Sequence, residues 1–165
     1  MIRIEPHDPA WADSFERERV ELDAAIGRWA VGGIHHVGST AVPGLAAKPI
    51  VDILVGVEDL ESARGCFAPL ARLEYHYAPY LTEEMHWFCK PDPDRRTHHL
   101  HLAPFAGRRF AEELAFRDRL RADAALAEAY ATLKRDLAAR FGDDRDAYTE
   151  AKFDFIRRAL DAEGR

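Results

Sequence analysis

Apolar residues recur at Trp11, Phe15, Leu22, Ile26 and Trp29, in steps of four, seven, four and three. Those steps fall on one side of a helix, so the spacing predicts a helix over 9–30 packed on a single face. Pro9 suits its first turn. IHHV, 34–37, predicts a short strand ending at Gly38; Ser39 or Thr40 then caps a turn that Pro43 and Gly44 break. IVDILVGV, 50–57, is the strongest strand in the chain. It is a near-continuous branched run, as in a central strand covered on both faces.

Residues 58–72 predict a second helix, with Leu60, Ala63, Phe67, Leu70 and Leu73 near its buried side. Tyr75–Tyr77 and MHWFCK (85–90) are further strand candidates. PDPDRR is a turn, since two prolines and two acids leave little alternative. THHLHLA, 97–103, is the strand returning from it, which makes 85–103 a hairpin. From Phe110 onward the chain turns rich in Ala, Leu, Arg and Glu and reads as helix. A break near Arg121 precedes a second helix capped by Asp123, and a third starts after Gly142. The pattern predicts an α+β or α/β organisation in one domain, 1–165: a mixed sheet of four or five strands within about 1–104, then a helical part over about 108–163.

Composition narrows the partners. The chain has 165 residues, 47% hydrophobic and 32% charged, with a formal net charge of −6. The absence of a long basic block argues against a constitutive DNA-binder with its basic stripe, and no nucleic-acid partner is expected. A small phosphorylated ligand needs only a few local cations and remains open. Cys66 and Cys89 stand far apart, outside any CxxC pattern, and read as two reduced thiols. No apolar run approaches the roughly 18 residues of a membrane span, and the start of the chain lacks a signal-type apolar region. A cytoplasmic protein with no membrane partner is the expectation.

Three features carry chemistry. Gly38-Ser39-Thr40, between a strand and a short turn, offers backbone N–H groups and two hydroxyls to a phosphate oxygen, although the same triplet also serves as a plain cap. Asp52 lies in the middle of an apolar strand. A buried carboxylate costs several kcal/mol unless a metal, a cation or a hydrogen-bond donor compensates. Lys48, four residues earlier, supplies charge nearby, and a His or Arg on an adjacent strand is the alternative partner. The third feature is the histidines, of which seven of eight lie between 35 and 101. In THHLHL, alternation puts His99 and His101 on one face. Such a pair can bind one metal ion or exchange protons, or be hydrogen-bonded core histidines. A zinc site needs a third ligand, for which Asp52, His36 and His86 are candidates. Arg95 and Arg96, read as loop residues, suit bidentate phosphate contact, with a solvated Arg95 as the plainer reading.

These segments resemble a known family. HHVGSTAVPGLAAKPIVDILVGV, WFCK, RRTHHLHL, LAFRDRLRADAALAEAYATLKRDLA and DRDAYTEAKFDFI, in that order and spacing, resemble the GrpB family of bacterial proteins over roughly residues 5 to 160. The resemblance implies an α+β nucleotidyltransferase-like fold, a mixed sheet flanked by helices with a helical C-terminal part, and a relative fused to some dephospho-CoA kinases. In that superfamily a Gly-Ser loop holds nucleotide phosphates, and an Asp-x-Asp/Glu pair plus a third acid holds two metal ions. Gly38 and Ser39 match the loop and Asp52 matches the first acid. The second acid's position is Leu54, and the third acid's strand offers His99 or His101.

The resemblance thus implies a protein acting on or binding a nucleotide or other phosphorylated small molecule. Asp52, His99 and His101 are its expected catalytic residues, and Gly38, Ser39, Thr40, Lys48 and Arg96 its expected phosphate contacts. The expected cofactor is a divalent metal (Mg²⁺, Mn²⁺ or Zn²⁺) on Asp52, His99 and His101. A single carboxylate favours one softer ion over two Mg²⁺. A non-catalytic nucleotide- or CoA-binding domain and a single-metal Asp/His hydrolase are the alternatives. Arg117, Lys134, Tyr148 and Lys152 suit a lid over the cleft, or more simply a salt-bridged helix surface with aromatic core contacts.

Overall fold

A computed structural model describes residues 1–162. Five strands form one sheet: β1 (Ile34–Val37), β2 (Val51–Val57), β3 (His76–Tyr77), β4 (His86–Asp92) and β5 (Arg95–Pro104). Their order is β1-β2-β5-β4-β3. β2 and β5 run parallel, and the other pairs are antiparallel. The helices are α1 (Ala10–Ile26), α2 (Phe67–Arg72), α3 (Arg108–Ala122), α4 (Ala124–Phe141) and α5 (Arg145–Asp161). The architecture is α+β, as the sequence predicts, with a mixed sheet. The expected end of the helical part at residue 163 lies outside the described residues.

Strand alternation sorts the two faces. Val51, Ile53, Val55, Leu100, Leu102 and Phe88 point to one side, where Leu22 and Ile26 of α1 and Leu70 of α2 complete the main core. Val37, Leu54, Met85 and Ala103 form a smaller cluster on the other side, joined by Phe110 and Leu114 of α3. The loop after β1 reaches the C-terminal helices through Val42 and Leu45, which pack with Phe116, Leu120 and Tyr130. The C-terminal helices therefore cover the face that carries Asp52.

The expected cap at Asp123 is observed, and the helix expected after Gly142 starts at a further cap, Asp144. Asp123 accepts from the Leu126 N–H and Asp144 from the Ala147 N–H, each starting a helix. Two expectations need correction. The helix expected over 58–72 is a 3₁₀ segment, Ser62–Cys66, followed by the short α2. Gly65 lies against Trp29, where a Cβ would come 2.6 Å from the indole, so the segment is shaped by that close approach. Arg95 and Arg96 are not in a loop. The turn between β4 and β5 is only Pro93-Asp94, and both arginines belong to β5.

Candidate functional site

Between the sheet and the C-terminal helices lies a cavity of about 1370 Å³, lined by Gly38, Ser39, Thr40, Lys48, Asp52, Arg96, His99 and His101 among others. The eight residues expected for catalysis and phosphate contact all line this one cleft. Register explains the floor. Asp52 sits beside His99 and Leu54 beside His101 in the parallel β2–β5 pair, so the four side chains share one face. Val37, opposite Asp52, brings the following Gly38 over the carboxylate.

His99 Nδ1 lies 3.0 Å from Asp52 Oδ1. An ionised carboxylate only accepts, so the imidazole donates from Nδ1 and its Nε2 carries the lone pair. Burial opposes the Asp52 charge, but the His99 hydrogen bond and surrounding positive charge outweigh it and bring its pKa down to about 2. Burial pushes the His99 pKa down, more than Asp52 pulls it up. At neutral pH the pair is therefore carboxylate and neutral imidazole, and His99 Nε2 is buried with no partner. This resolves the oddity of an acid in an apolar strand: the Asp52 side chain is 28% exposed, at a cavity rather than in the sealed core.

His101 sits in a second pair that the sequence reading missed. Its Nδ1 donates to Glu113 of α3 at 2.9 Å, and Arg109 Nη1 donates to the same carboxylate at 3.0 Å. Burial disfavours the His101 cation, yet Glu113 raises its pKa above the ordinary value. The Glu113 pKa is lowered: burial acts against the shift, and the His101 and Arg109 charges prevail. Glu113 shares a helix face with Phe110 and Leu114, which pack on the sheet, so an acid beside two core-facing apolar residues is the signal that points to it.

His36 and His86 do not join this set. Both point to the opposite sheet face, since His36 pairs with Ile53 and His86 with Leu102. His86 Nε2 donates to the Leu60 carbonyl at 2.7 Å. Burial drives the His36 pKa down to about 4, so its neutral ring donates from Nε2 to Thr40 Oγ1 at 2.9 Å. Thr40 Oγ1 in turn donates to the Ile50 carbonyl, which ties its proton to the scaffold rather than to the cleft. Arg96 Nε donates to the Pro93 carbonyl, and its guanidinium stacks 5.2 Å from the Trp87 ring centroid. Arg95 pairs with Asp92 at the surface.

The donors do not match a two-magnesium centre. Leu54 holds the second acid's position and is fully buried with Val37, Met85 and Ala103. Among the described residues, no group of three or more His, Cys, Asp or Glu side chains is arranged to hold a metal ion. The C-terminal helices contribute more than a salt-bridged surface. Lys134 and Lys152 both line the cleft, Lys134 is only 2% exposed, and Tyr148 is fully buried. Arg117 instead donates to the His36 carbonyl at 3.2 Å and pairs with Asp118.

The sequence model described as GrpB protein matches residues 1–162. The chain belongs to the GrpB family. The crystal structure of conserved protein GrpB from Enterococcus faecalis superposes with a TM-score of 0.86 at 34% identity, covering 99% of this chain and 100% of that one. A UPF0157 protein of Pseudomonas aeruginosa is 40% identical over 164 residues, covering 96% of this chain but 66% of that protein. A dephospho-CoA kinase of Mycolicibacterium paratuberculosis is 31% identical over 188 residues, 96% of this chain and 45% of the kinase. A UPF0157 protein of Bacillus subtilis is likewise matched over 46% of its length, so this GrpB chain spans only part of several curated relatives. A Cid1 poly(U) polymerase structure superposes at a TM-score of 0.49 and 14% identity, a likeness that bears on neither activity nor substrate. Among the described residues, no helix is long and apolar enough to cross a membrane.

Proposed function

We propose that the cleft of this GrpB protein binds a nucleotide or other phosphorylated small molecule and acts on it as a nucleotidyltransferase-like site. The observation that carries this reading is the contact between the Gly38-Ser39 loop and the ionised Asp52 at the floor of one cavity. A Cβ on Gly38 would come 2.5 Å from Asp52 Oδ2. Ser39 and Lys48 would face the phosphates, with Arg96 at the rim. Asp52, whose side chain is 28% exposed at the cavity and is held in place by His99, would take the proton of an attacking hydroxyl. His101, held by Glu113, would stand by as a proton donor. No metal enters these steps.

A second reading, a non-catalytic binding domain, is favoured by Leu54, whose buried side chain leaves Asp52 without the paired acid of two-metal transfer. The match to part of a dephospho-CoA kinase supports a CoA-like ligand under that reading.

The test is a thermal-shift and calorimetry panel on metal-stripped protein. It uses ATP, GTP, CTP, UTP, CoA and dephospho-CoA, each with Mg²⁺, Mn²⁺, Zn²⁺ or none. A nucleotide that binds and turns over supports the transferase reading, and binding without turnover supports the binding domain. Absence of any response to the whole panel overturns both.

A further inference from the structure

Two C-terminal helices carry the same spacing. Tyr130 and Lys134 on α4, and Tyr148 and Lys152 on α5, are each four residues apart. On a helix that spacing stacks the amine beside its own ring. The Lys134 amine lies 5.0 Å from the Tyr130 centroid, and the Lys152 amine 4.6 Å from that of Tyr148. Lys48, from the loop before β2, places its amine 4.5 Å from the same Tyr148 ring. Three amines from three elements therefore gather at one wall of the cleft, which all three line.

None of the three takes an ion-pair partner among the described residues. Lys134 donates to the Ala46 carbonyl at 2.5 Å, which satisfies one proton but no charge. The Tyr148 hydroxyl is buried with no hydrogen-bond partner. The charged groups acting on the amines are Asp52 of β2, Arg96 of β5, Arg135 of α4 and Arg145 of α5, besides the amines themselves. Asp52 is the one acid in that set, and it is engaged by His99. Gathering cations out of water without counter-charge costs several kcal/mol, and an anionic ligand would offset that cost.

We propose that Lys48, Lys134 and Lys152 form a polyphosphate subsite that takes a chain of two or more linked phosphates. The proposal rests on the phosphorylated-ligand reading of the cleft and sharpens it. The substrate class becomes a nucleoside di- or triphosphate or a diphosphate-bearing cofactor, rather than a monophosphate. Aromatic rings on the amines limit their hydration and leave their charge for the ligand. Burial first, then mutual repulsion, lowers the Lys134 pKa to about 7 and that of Lys152 to about 8. A bound polyanion favours the charged amines, so binding near pH 8 draws protons onto the protein.

The experiment is calorimetry with inorganic tripolyphosphate, pyrophosphate and orthophosphate at pH 8, in two buffers of different ionisation heat. Wild type, Lys134→Met and Lys152→Met are compared, with melting temperature as the folding control. Tripolyphosphate should bind more tightly than orthophosphate, and wild type should take up more protons on binding it than Lys134→Met does. Each variant should bind it at least about tenfold more weakly. Lys152→Met, which gives up no hydrogen bond among the described residues, should melt no lower than wild type, whereas Lys134→Met also leaves the Ala46 carbonyl without its donor. Equal affinity for tripolyphosphate and orthophosphate, the same proton uptake by wild type and Lys134→Met, or unchanged binding by both variants overturns the subsite. ATP stabilising wild type and Lys152→Met equally would overturn the subsite but leave the cleft reading standing. Failure of tripolyphosphate and of every nucleotide and CoA compound in the panel to bind wild type overturns both.

Discussion

Gly38 and Asp52 are in direct contact across the gap between the loop and β2, with no space for a side chain on the glycine. Gly38 has φ 73° and ψ −173°, a conformation essentially confined to glycine. Gly38→Ala therefore meets both backbone strain and the Asp52 carboxylate, and should lose about 3 kcal/mol of stability in urea unfolding. Gly44→Ala, also at positive φ but with open space around its Cβ position, should lose only about 1 kcal/mol. Equal losses would mean that the loop does not rest on Asp52.

Asp52→Asn removes the charge that holds His99 and should cost about 1–3 kcal/mol at neutral pH. Because the folded pKa of about 2 lies below the ordinary 3.8, this contribution is complete above the ordinary value. It is lost as pH falls from there through the folded value. Unfolding curves of wild type and variant should therefore converge near pH 2. Under the transferase reading, nucleotide binding should persist while turnover drops by about 10²-fold or more.

Glu113→Gln tests the second pair. With the carboxylate gone, only the charge of Asp52 still opposes the burial of His101, so the imidazole pKa should fall from its raised position in an NMR titration. The stability cost should be about 2 kcal/mol near pH 6. A raised histidine pKa contributes below the unfolded value and fades as pH rises through the folded one, so the cost should shrink in alkaline buffer. A His101 pKa that stays raised in the variant would show that Glu113 is not its cause.

Lys134 and Lys152 set the alkaline trend of the unliganded protein. Their folded pKa values of about 7 and about 8 lie below the ordinary 10.5, so the unfolded chain holds more protons between those limits. Stability should rise as pH goes from about 7 to 9.5, measured by urea unfolding without phosphate present. Lys134→Met should flatten that rise, and an unchanged slope would place the lysine charges in water rather than in the wall.

Much of the fold and of the site is legible in the sequence. The β2 run, the alternation of THHLHL and the cap at Asp123 are local signals, and local signals fix elements and faces. His99 facing Asp52 follows once β2 and β5 are neighbours. What strand patterns cannot give is which residues cross between layers. Glu113 reaches His101 from a helix packed over the sheet, and Lys134 meets Lys48 across 86 positions of chain. Local rules also misplace groups when a tertiary partner claims them. Thr40 looks like a phosphate hydroxyl, but His36 and the Ile50 carbonyl engage it. The arginines of RRTHHLHL look like turn residues, but the turn closes in two residues and leaves both on β5.

The covering of the sheet by late helices has a consequence for biosynthesis. Synthesis finishes the last strand at Pro104, while the helix bearing Lys152 does not begin until Arg145. A chain emerging from the ribosome can close its α1 face first, because α1, α2 and every strand are already made. Its other face, with Leu54, Met85 and Ala103, waits bare for α3 and the helices behind it. Nascent chains halted between 104 and 145 should therefore be the species most prone to capture by a holding chaperone.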